Sequence, residues 1–103
     1  MTPPEFLLAS LGTCAGYYAA EYLRARSLPA AGLRVEVKAE KSLRPARLSA
    51  FRIAISVPGL EDERHRQGVL RAAQACLVHN TLLHTPAVEV ALAQPAEAGI
   101  DGH

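Results

Sequence analysis

The chain has 103 residues, of which half are apolar and a fifth are charged, and its formal net charge is +1. This length allows one domain at most, and the composition argues against a disordered chain. Because lysine and arginine form no dense cluster, nothing indicates a nucleic-acid partner. Residues 1–5 lack the basic start of a signal peptide and no apolar run is long enough to span a bilayer, so we expect a cytoplasmic protein with no membrane partner.

The first predicted element is a helix that begins at the start of the chain. Thr2 suits the N-cap, Pro3 suits a position that needs no N–H donor, and Glu5 suits the third helical position of a capping box. The helix is expected to end at about Arg26, because a leucine–proline pair follows. Its apolar residues cover nearly the whole circumference, which predicts that it is buried on most sides.

Two strands are predicted next, since apolar residues alternate with charged or small ones in residues 33–40 and again in residues 48–57. Residues 41–47 form a polar connection that contains Pro45, so the strands are expected to make an antiparallel hairpin with a longer loop. One face of this hairpin should be dry and the other should face water.

A second helix is predicted from residue 61 or 62 to about Val78, and a short turn is predicted over residues 79–84. A third strand is expected where Val88, Val90 and Leu92 alternate with other residues, followed by a flexible tail over residues 94–103. The polar stripe of the second helix consists of Arg64, Gln67, Arg71 and Gln74, and its inward face consists of Val69, Ala72, Ala73 and Cys76.

The predicted fold is therefore a single α+β domain over residues 1–93, in the order α-β-β-α-β, with an antiparallel sheet and a long buried central helix. Three strands and one further helix leave much of the first helix uncovered. At about 25 cal/mol per Å2 of apolar area, several uncovered large side chains would forfeit free energy comparable to the net stability of a domain. We therefore expect a second copy of the chain to cover the first helix, in a homodimer.

Two cysteines, Cys14 and Cys76, are the residues with the most reactive side chains. Small residues surround Cys14, so another backbone or a substrate can approach it closely. Free cysteines are among the most often buried residues, and two inert core cysteines are therefore one interpretation. A cysteine pair in a reducing compartment is also typical of redox chemistry, although no C-x-x-C motif supports this interpretation here.

The residues around both cysteines resemble a known family. Residues 2–14, with the sequence TPPEFLLASLGTC, are similar to the segment around the first cysteine of the OsmC/Ohr family, the osmotically inducible and organic hydroperoxide resistance proteins. Residues 75–82, with the sequence ACLVHNTL, resemble the region of that family's second cysteine. The order of elements also fits, so the resemblance covers about residues 2–93.

The resemblance implies an OsmC-like, intertwined homodimer that reduces organic hydroperoxides or hydrogen peroxide with two cysteines, without a metal or an organic cofactor. Cys14 would be oxidised to a sulfenic acid, and Cys76 would resolve it as an intramolecular disulfide. A dithiol reductant would then restore both thiols. Glu5 would match the family glutamate that orients an arginine next to the first cysteine.

The sequence departs from the family pattern at its start. Family members carry that arginine on strands that precede the helix, and there it lowers the pKa of the first cysteine. This chain begins at the helix, so we expect the arginine to be missing, and a free cysteine ionises only near pH 8.5. Glu21 lies on the same helix face as Cys14 and would act in the opposite direction unless paired. Cationic side chains that could replace the arginine are Arg24, Arg26, Arg71 and His79.

Other interpretations stay open at this point. A non-catalytic binding or interaction protein on the same scaffold is favoured by the missing arginine, and Glu5 would then serve only as a capping residue. A shortened product of a longer gene is a third possibility. A zinc site built from Cys14, Cys76, His79 and His84 is not expected, because the C-x2-H spacing has no second motif beside it.

Overall fold

The computed structural model describes residues 1–93, and the predicted tail lies outside the described residues. The order of elements is α-β-β-α-α, which confirms the mixed α+β class and corrects the predicted α-β-β-α-β order. The elements are α1 (Pro3–Ala25), β1 (Arg34–Leu43), β2 (Ala46–Ser56), α2 (Glu63–Gln74) and α3 (Leu77–Leu83). None of the described helices is both long enough and apolar enough to cross a membrane.

Helix α1 begins as the sequence predicts. The Thr2 backbone N–H donates to Oε1 of Glu5 at 2.8 Å, and the Glu5 N–H donates to Oγ1 of Thr2 at 3.4 Å, which together form a capping box. Burial on most sides is not observed within one chain, because Phe6 and Tyr17 remain 62% and 61% exposed. The buried residues form one stripe, which consists of Leu11, Ala15, Ala19, Ala20 and Leu23.

Strands β1 and β2 form a two-stranded antiparallel sheet. The alternation is confirmed, because apolar positions such as Val35 and Ile53 are half-buried while the charged positions between them are exposed. The predicted seven-residue loop is wrong: pairing continues to Leu43 and resumes at Ala46, so only residues 44 and 45 make the turn. Polar residues can pair there because this end of the hairpin needs no apolar cover.

The second predicted helix is in fact two. Helix α2 ends at Gln74, and Cys76 has extended backbone angles (φ −61°, ψ 136°) as the N-cap of α3. The predicted turn over residues 79–84 is therefore wrong, since most of it belongs to α3. The polar stripe of α2 is exposed as expected, and Val69 and Ala73 are buried on its inward face.

The predicted third strand does not form among the described residues. Val88, Val90 and Leu92 are 81%, 92% and 91% exposed, and residues 85–93 have no regular secondary structure. A strand needs a neighbouring strand for its backbone hydrogen bonds, and residues 85–93 pair with neither β1 nor β2.

The core lies where α1 and α2 cover the dry face of the hairpin. Its buried centre is small, and half-buried side chains from the hairpin and the loops surround it. Gly68 on α2 is buried against Tyr22 of α1, and a Cβ atom at this position would overlap the tyrosine ring. The absence of a side chain at Gly68 is what lets the two helices approach this closely. The buried residues of the core cluster are Ala19, Leu23, Leu60 and Val69.

Candidate functional site

The structure joins Cys14 and Cys76 in a disulfide bond. Their Cα atoms are 5.8 Å apart although the residues are separated by 62 positions in the sequence, and no free cysteine remains. The two predicted site residues are thus brought together by the fold. Zinc binding would require these sulfurs to be free, and among the described residues no three His, Cys, Asp or Glu side chains cluster in a way that could hold a metal ion.

Two local features place the sulfurs. Cys14 lies in the middle of α1, on a helix whose start is fixed by its capping box. Cys76 lies at the break between α2 and α3, where the extended backbone of the N-cap residue turns the chain towards α1. Had α2 continued to Val78, as the sequence predicts, Cys76 would have followed the helical path of Val69 and Ala73.

The two sulfur-bearing residues differ in burial. Cys76 is fully buried, whereas Cys14 is half-buried. A shallow depression of about 570 Å3 lies nearby, and neither cysteine lines it. Its lining includes Tyr18, one helical turn after Cys14, both sequence neighbours of Cys76, and His84. Cys14 is therefore the more exposed of the two bridged residues.

On its other side the bridge borders an apolar groove of about 540 Å3. Leu11 and Ala15, which flank Cys14 on α1, form part of its wall, and His79 of α3 contributes a polar side chain. Most of the remaining lining is apolar and comes from β2 and from the ends of α2 and α3. These residues are Leu48, Ser49, Ala50, Phe51, Ile53, Ile55, Leu70, Ala73, Gln74, Leu82 and Leu83.

Glu5 is not brought to the cysteines within this chain. It precedes Cys14 by nine positions, which corresponds to about 13 Å along a helix that rises about 1.5 Å per residue. The hydrogen bonds from the Thr2 backbone and side chain lower the pKa of the exposed Glu5 carboxyl below its usual value of 4.5. The structure therefore gives Glu5 a capping role in α1.

The arginines proposed from the sequence as replacements are engaged elsewhere or exposed. Arg24 donates to Glu21 at 2.7 Å, and it follows Cys14 by about 15 Å along the helix axis. The guanidinium of Arg26 lies 3.7 Å from the ring centroid of Tyr22. Arg71 is exposed on α2. The ion pair between Arg24 and Glu21 also compensates the negative charge of Glu21, which would otherwise raise the pKa of Cys14.

His79 is the remaining candidate, and it is half-buried beside the groove. Its Nδ1 atom is buried and has no hydrogen-bond partner among the described residues. The sequence predicts a turn here, so it could not place this side chain next to the groove. Nothing in the sequence distinguishes Tyr18, which lines the depression, from the other apolar residues of α1.

Comparison with known proteins identifies the family. A family model described as OsmC-like protein matches residues 1–91, and the chain therefore belongs to the OsmC family, as the motifs around its cysteines predict. It is similar to a crystal structure from Psychrobacter arcticus 273-4, described as an osmotic stress induced and detoxification response protein, with a TM-score of 0.72 and 25% identity. The match covers 78% of this chain and 58% of that one, so this chain spans little more than half of that protein. No curated protein matches the chain.

Proposed function

We propose that the protein detoxifies peroxides as a thiol-dependent peroxidase. The Cys14 thiolate attacks the peroxide, the O–O bond breaks, and Cys14 becomes a sulfenic acid while the leaving oxygen takes a proton to form an alcohol or water. The Cys76 thiol then displaces hydroxide from the Cys14 sulfur, which forms the disulfide and releases water. A dithiol supplies two electrons and two protons to restore both thiols.

The observation that carries this proposal is the bridge between Cys14 and Cys76. It is the product expected after one turnover, and the 5.8 Å between the two Cα atoms is an ordinary spacing for a disulfide. The half-buried position of Cys14 supports its role as the residue that meets the peroxide, since the sulfur of Cys76 is fully buried. The apolar groove beside the bridge favours an organic hydroperoxide over hydrogen peroxide as the better substrate.

The experiment is to mix the reduced protein with cumene hydroperoxide or hydrogen peroxide and to follow peroxide loss with dithiothreitol as the reductant. Cys14→Ser should abolish turnover. Cys76→Ser should allow one rapid oxidation per chain, with a sulfenic acid that dimedone traps on Cys14. Equal rates for the wild type and Cys14→Ser would contradict the proposal.

We also propose that the protein acts as a homodimer in the cytoplasm. On α1 the side chains of Phe6 and Tyr17 are 62% and 61% exposed, which supports their burial against a second copy. Ultracentrifugation at micromolar concentration should give a dimer, and Tyr17→Glu should weaken it. Lys38→Glu, a charge change on the exposed face of β1, serves as the control.

A non-catalytic binding protein is the second candidate, because Arg24 and Arg26 are both engaged away from Cys14. Without a nearby cation, the Cys14 thiol would react with peroxide as slowly as a free cysteine. The pH dependence of alkylation in Cys76→Ser separates the two candidates. A midpoint near pH 8.5 favours the binding protein, and a midpoint well below pH 7 favours the peroxidase.

A part for Glu5 in catalysis rests on the resemblance alone and requires a cation that pairs with it. If Glu5 only caps α1, Glu5→Gln should leave the peroxidase rate of Cys14 unchanged. A large loss of rate, with the helix intact by circular dichroism, would instead place Glu5 in the catalytic machinery.

A further inference from the structure

His79 has a property that the peroxidase proposal does not use. Its Nδ1 atom is buried, and it has no hydrogen-bond partner within residues 1–93. Buried polar atoms in folded proteins nearly always have a partner, so an exception calls for a physical reason. The side chain lines the apolar groove, and no described neighbour forms a hydrogen bond with Nδ1 there.

The position of His79 in α3 supplies that reason. His79 is the third residue after Cys76, which is the N-cap of the helix. The two residues are thus about one helical turn apart, as Thr2 and Glu5 are at the start of α1, and no side-chain hydrogen bond caps α3 in the oxidised protein. In the oxidised protein the Cys76 sulfur carries neither a proton nor a charge, so it is a poor partner for Nδ1. The thiolate formed on reduction is a stronger partner, because its negative charge makes it a good acceptor for an N–H donor.

The groove that His79 lines contains no competing charge. The groove is lined from α1, β2, α2 and α3, and His79 is the one titratable side chain in that lining, while Ser49 and Gln74 are uncharged. On α1 the nearest carboxylate along the face of Cys14 is Glu21, which Arg24 compensates. The charged side chains of β2 and α2 are exposed to solvent.

The difference in burial decides which of the two sulfurs an incoming thiolate attacks. Cys76 is fully buried, and Cys14 is half-buried. Thiol–disulfide exchange requires the attacking sulfur to reach its target. A thiolate from solvent therefore reaches the sulfur of Cys14, and the sulfur of Cys76 becomes the leaving group.

We propose that His79 stabilises the Cys76 thiolate as the bridge is reduced, an inference that rests on the proposed thiol cycle. A thiolate of the dithiol attacks Sγ of Cys14, the bond between Cys14 and Cys76 breaks, and the electron pair leaves on Sγ of Cys76. The protonated imidazole of His79 pairs with this thiolate and gives it a proton. The second thiolate of the dithiol then attacks its own sulfur in the mixed disulfide, releases Cys14 as a thiolate and departs as a cyclic disulfide, while His79 regains a proton from water.

The first test measures the Cys76 thiolate directly. Cys14→Ser leaves Cys76 as the one thiol, and its ionisation is followed by ultraviolet absorbance against pH. Replacing His79 by glutamine in this background should move the midpoint upwards by about one pH unit or more, because a positive neighbour favours the thiolate. Arg64→Gln, which removes an exposed cation from the start of α2, should leave the midpoint in place. Identical midpoints with and without His79 would overturn the proposal.

The second test follows reduction of the oxidised protein by dithiothreitol. His79→Gln should slow the reaction about tenfold below neutral pH, since a thiol with a lower pKa leaves faster, and Arg64→Gln should match the wild type. Reaction with 2-mercaptoethanol, quenched with iodoacetamide, should place the mixed disulfide on Cys14 by peptide mapping. A mixed disulfide on Cys76 would overturn the direction of the reaction.

These measurements are independent of peroxidase activity. The titration of Cys14→Ser requires neither peroxide nor a bridge, and the reduction assay starts from the disulfide. Denaturation of each variant in guanidinium shows whether glutamine at residue 79 disturbs the fold. A protein that fails to consume peroxide but shows the shifted midpoint would therefore contradict the proposed function and support the role of His79.

Discussion

The phenolic oxygen of Tyr22 lies 3.1 Å from Nδ1 of His65, and this contact joins α1 to α2 across 43 positions of the sequence. It lies at the helix crossing where Gly68 packs against the same tyrosine. The two helices are thus held by a polar contact and a close steric fit at one residue, and each can be tested separately.

Removing the hydroxyl tests the polar contact. Tyr22→Phe should lower the free energy of unfolding by about 1 kcal/mol, the usual net value of a hydrogen bond between uncharged groups. Tyr17→Phe is the matched control, because Tyr17 lies on the same helix but is 61% exposed. Guanidinium denaturation measures both, and an equal effect of the two substitutions would contradict a specific contact with His65.

Gly68→Ala tests the steric fit. Alanine is intrinsically better than glycine inside a helix by about 1 kcal/mol. Because the new Cβ atom would overlap the Tyr22 ring, we expect a net loss of about 1–3 kcal/mol in the free energy of unfolding instead. In a Tyr22→Ala background the same substitution should become stabilising. Unchanged destabilisation in that background would show that the ring is not the cause.

The bridge should stabilise the oxidised protein against unfolding. It closes a loop across a separation of 62 positions, and disulfides that close loops of this kind contribute about 2–4 kcal/mol. Guanidinium denaturation with and without reductant measures the difference. Cys76→Ser should show no such dependence on reductant, and a dependence of equal size in that variant would assign the effect to something other than the bridge.

The capping box predicts a specific dependence of stability on pH. Because the folded pKa of Glu5 is lowered by its contacts with Thr2, its contribution is present above the unfolded value of 4.5 and is lost as the pH falls through the folded pKa. Glu5→Gln should therefore reduce stability at neutral pH and flatten the profile below pH 4.5. Thermal unfolding over this range is the measurement, and parallel profiles for the two proteins would contradict the prediction.

Local signals in the sequence predicted the parts of the fold that depend on neighbouring residues. The capping box of Thr2 and Glu5 fixes the start of α1, and the alternation around Val35 and Ile53 identifies the dry face of the hairpin. The family resemblance of the segments around the cysteines is confirmed by the match over residues 1–91.

The remaining differences arise where distant parts of the chain decide the structure. The apolar pattern of α2 continues through Cys76, so periodicity alone could not locate the break after Gln74. Val88 and Leu92 have the alternation of a strand, but a strand forms only where a free sheet edge is within reach. The position of His79 beside the groove depends on the same break after Gln74. The sequence therefore indicates His79 only as one of several cationic side chains.

Helix α3 contains no buried residue of its own, and it spans only seven residues from Leu77 to Leu83. A helix of this length does not persist in water without support from its surroundings. The bridge is the covalent support, since it ties the residue before α3 to the rigid middle of α1. We expect reduction to fray this segment and to make it a site of protease cleavage. Oxidation would thus protect the protein from proteolysis as well as convert its two thiols into a disulfide.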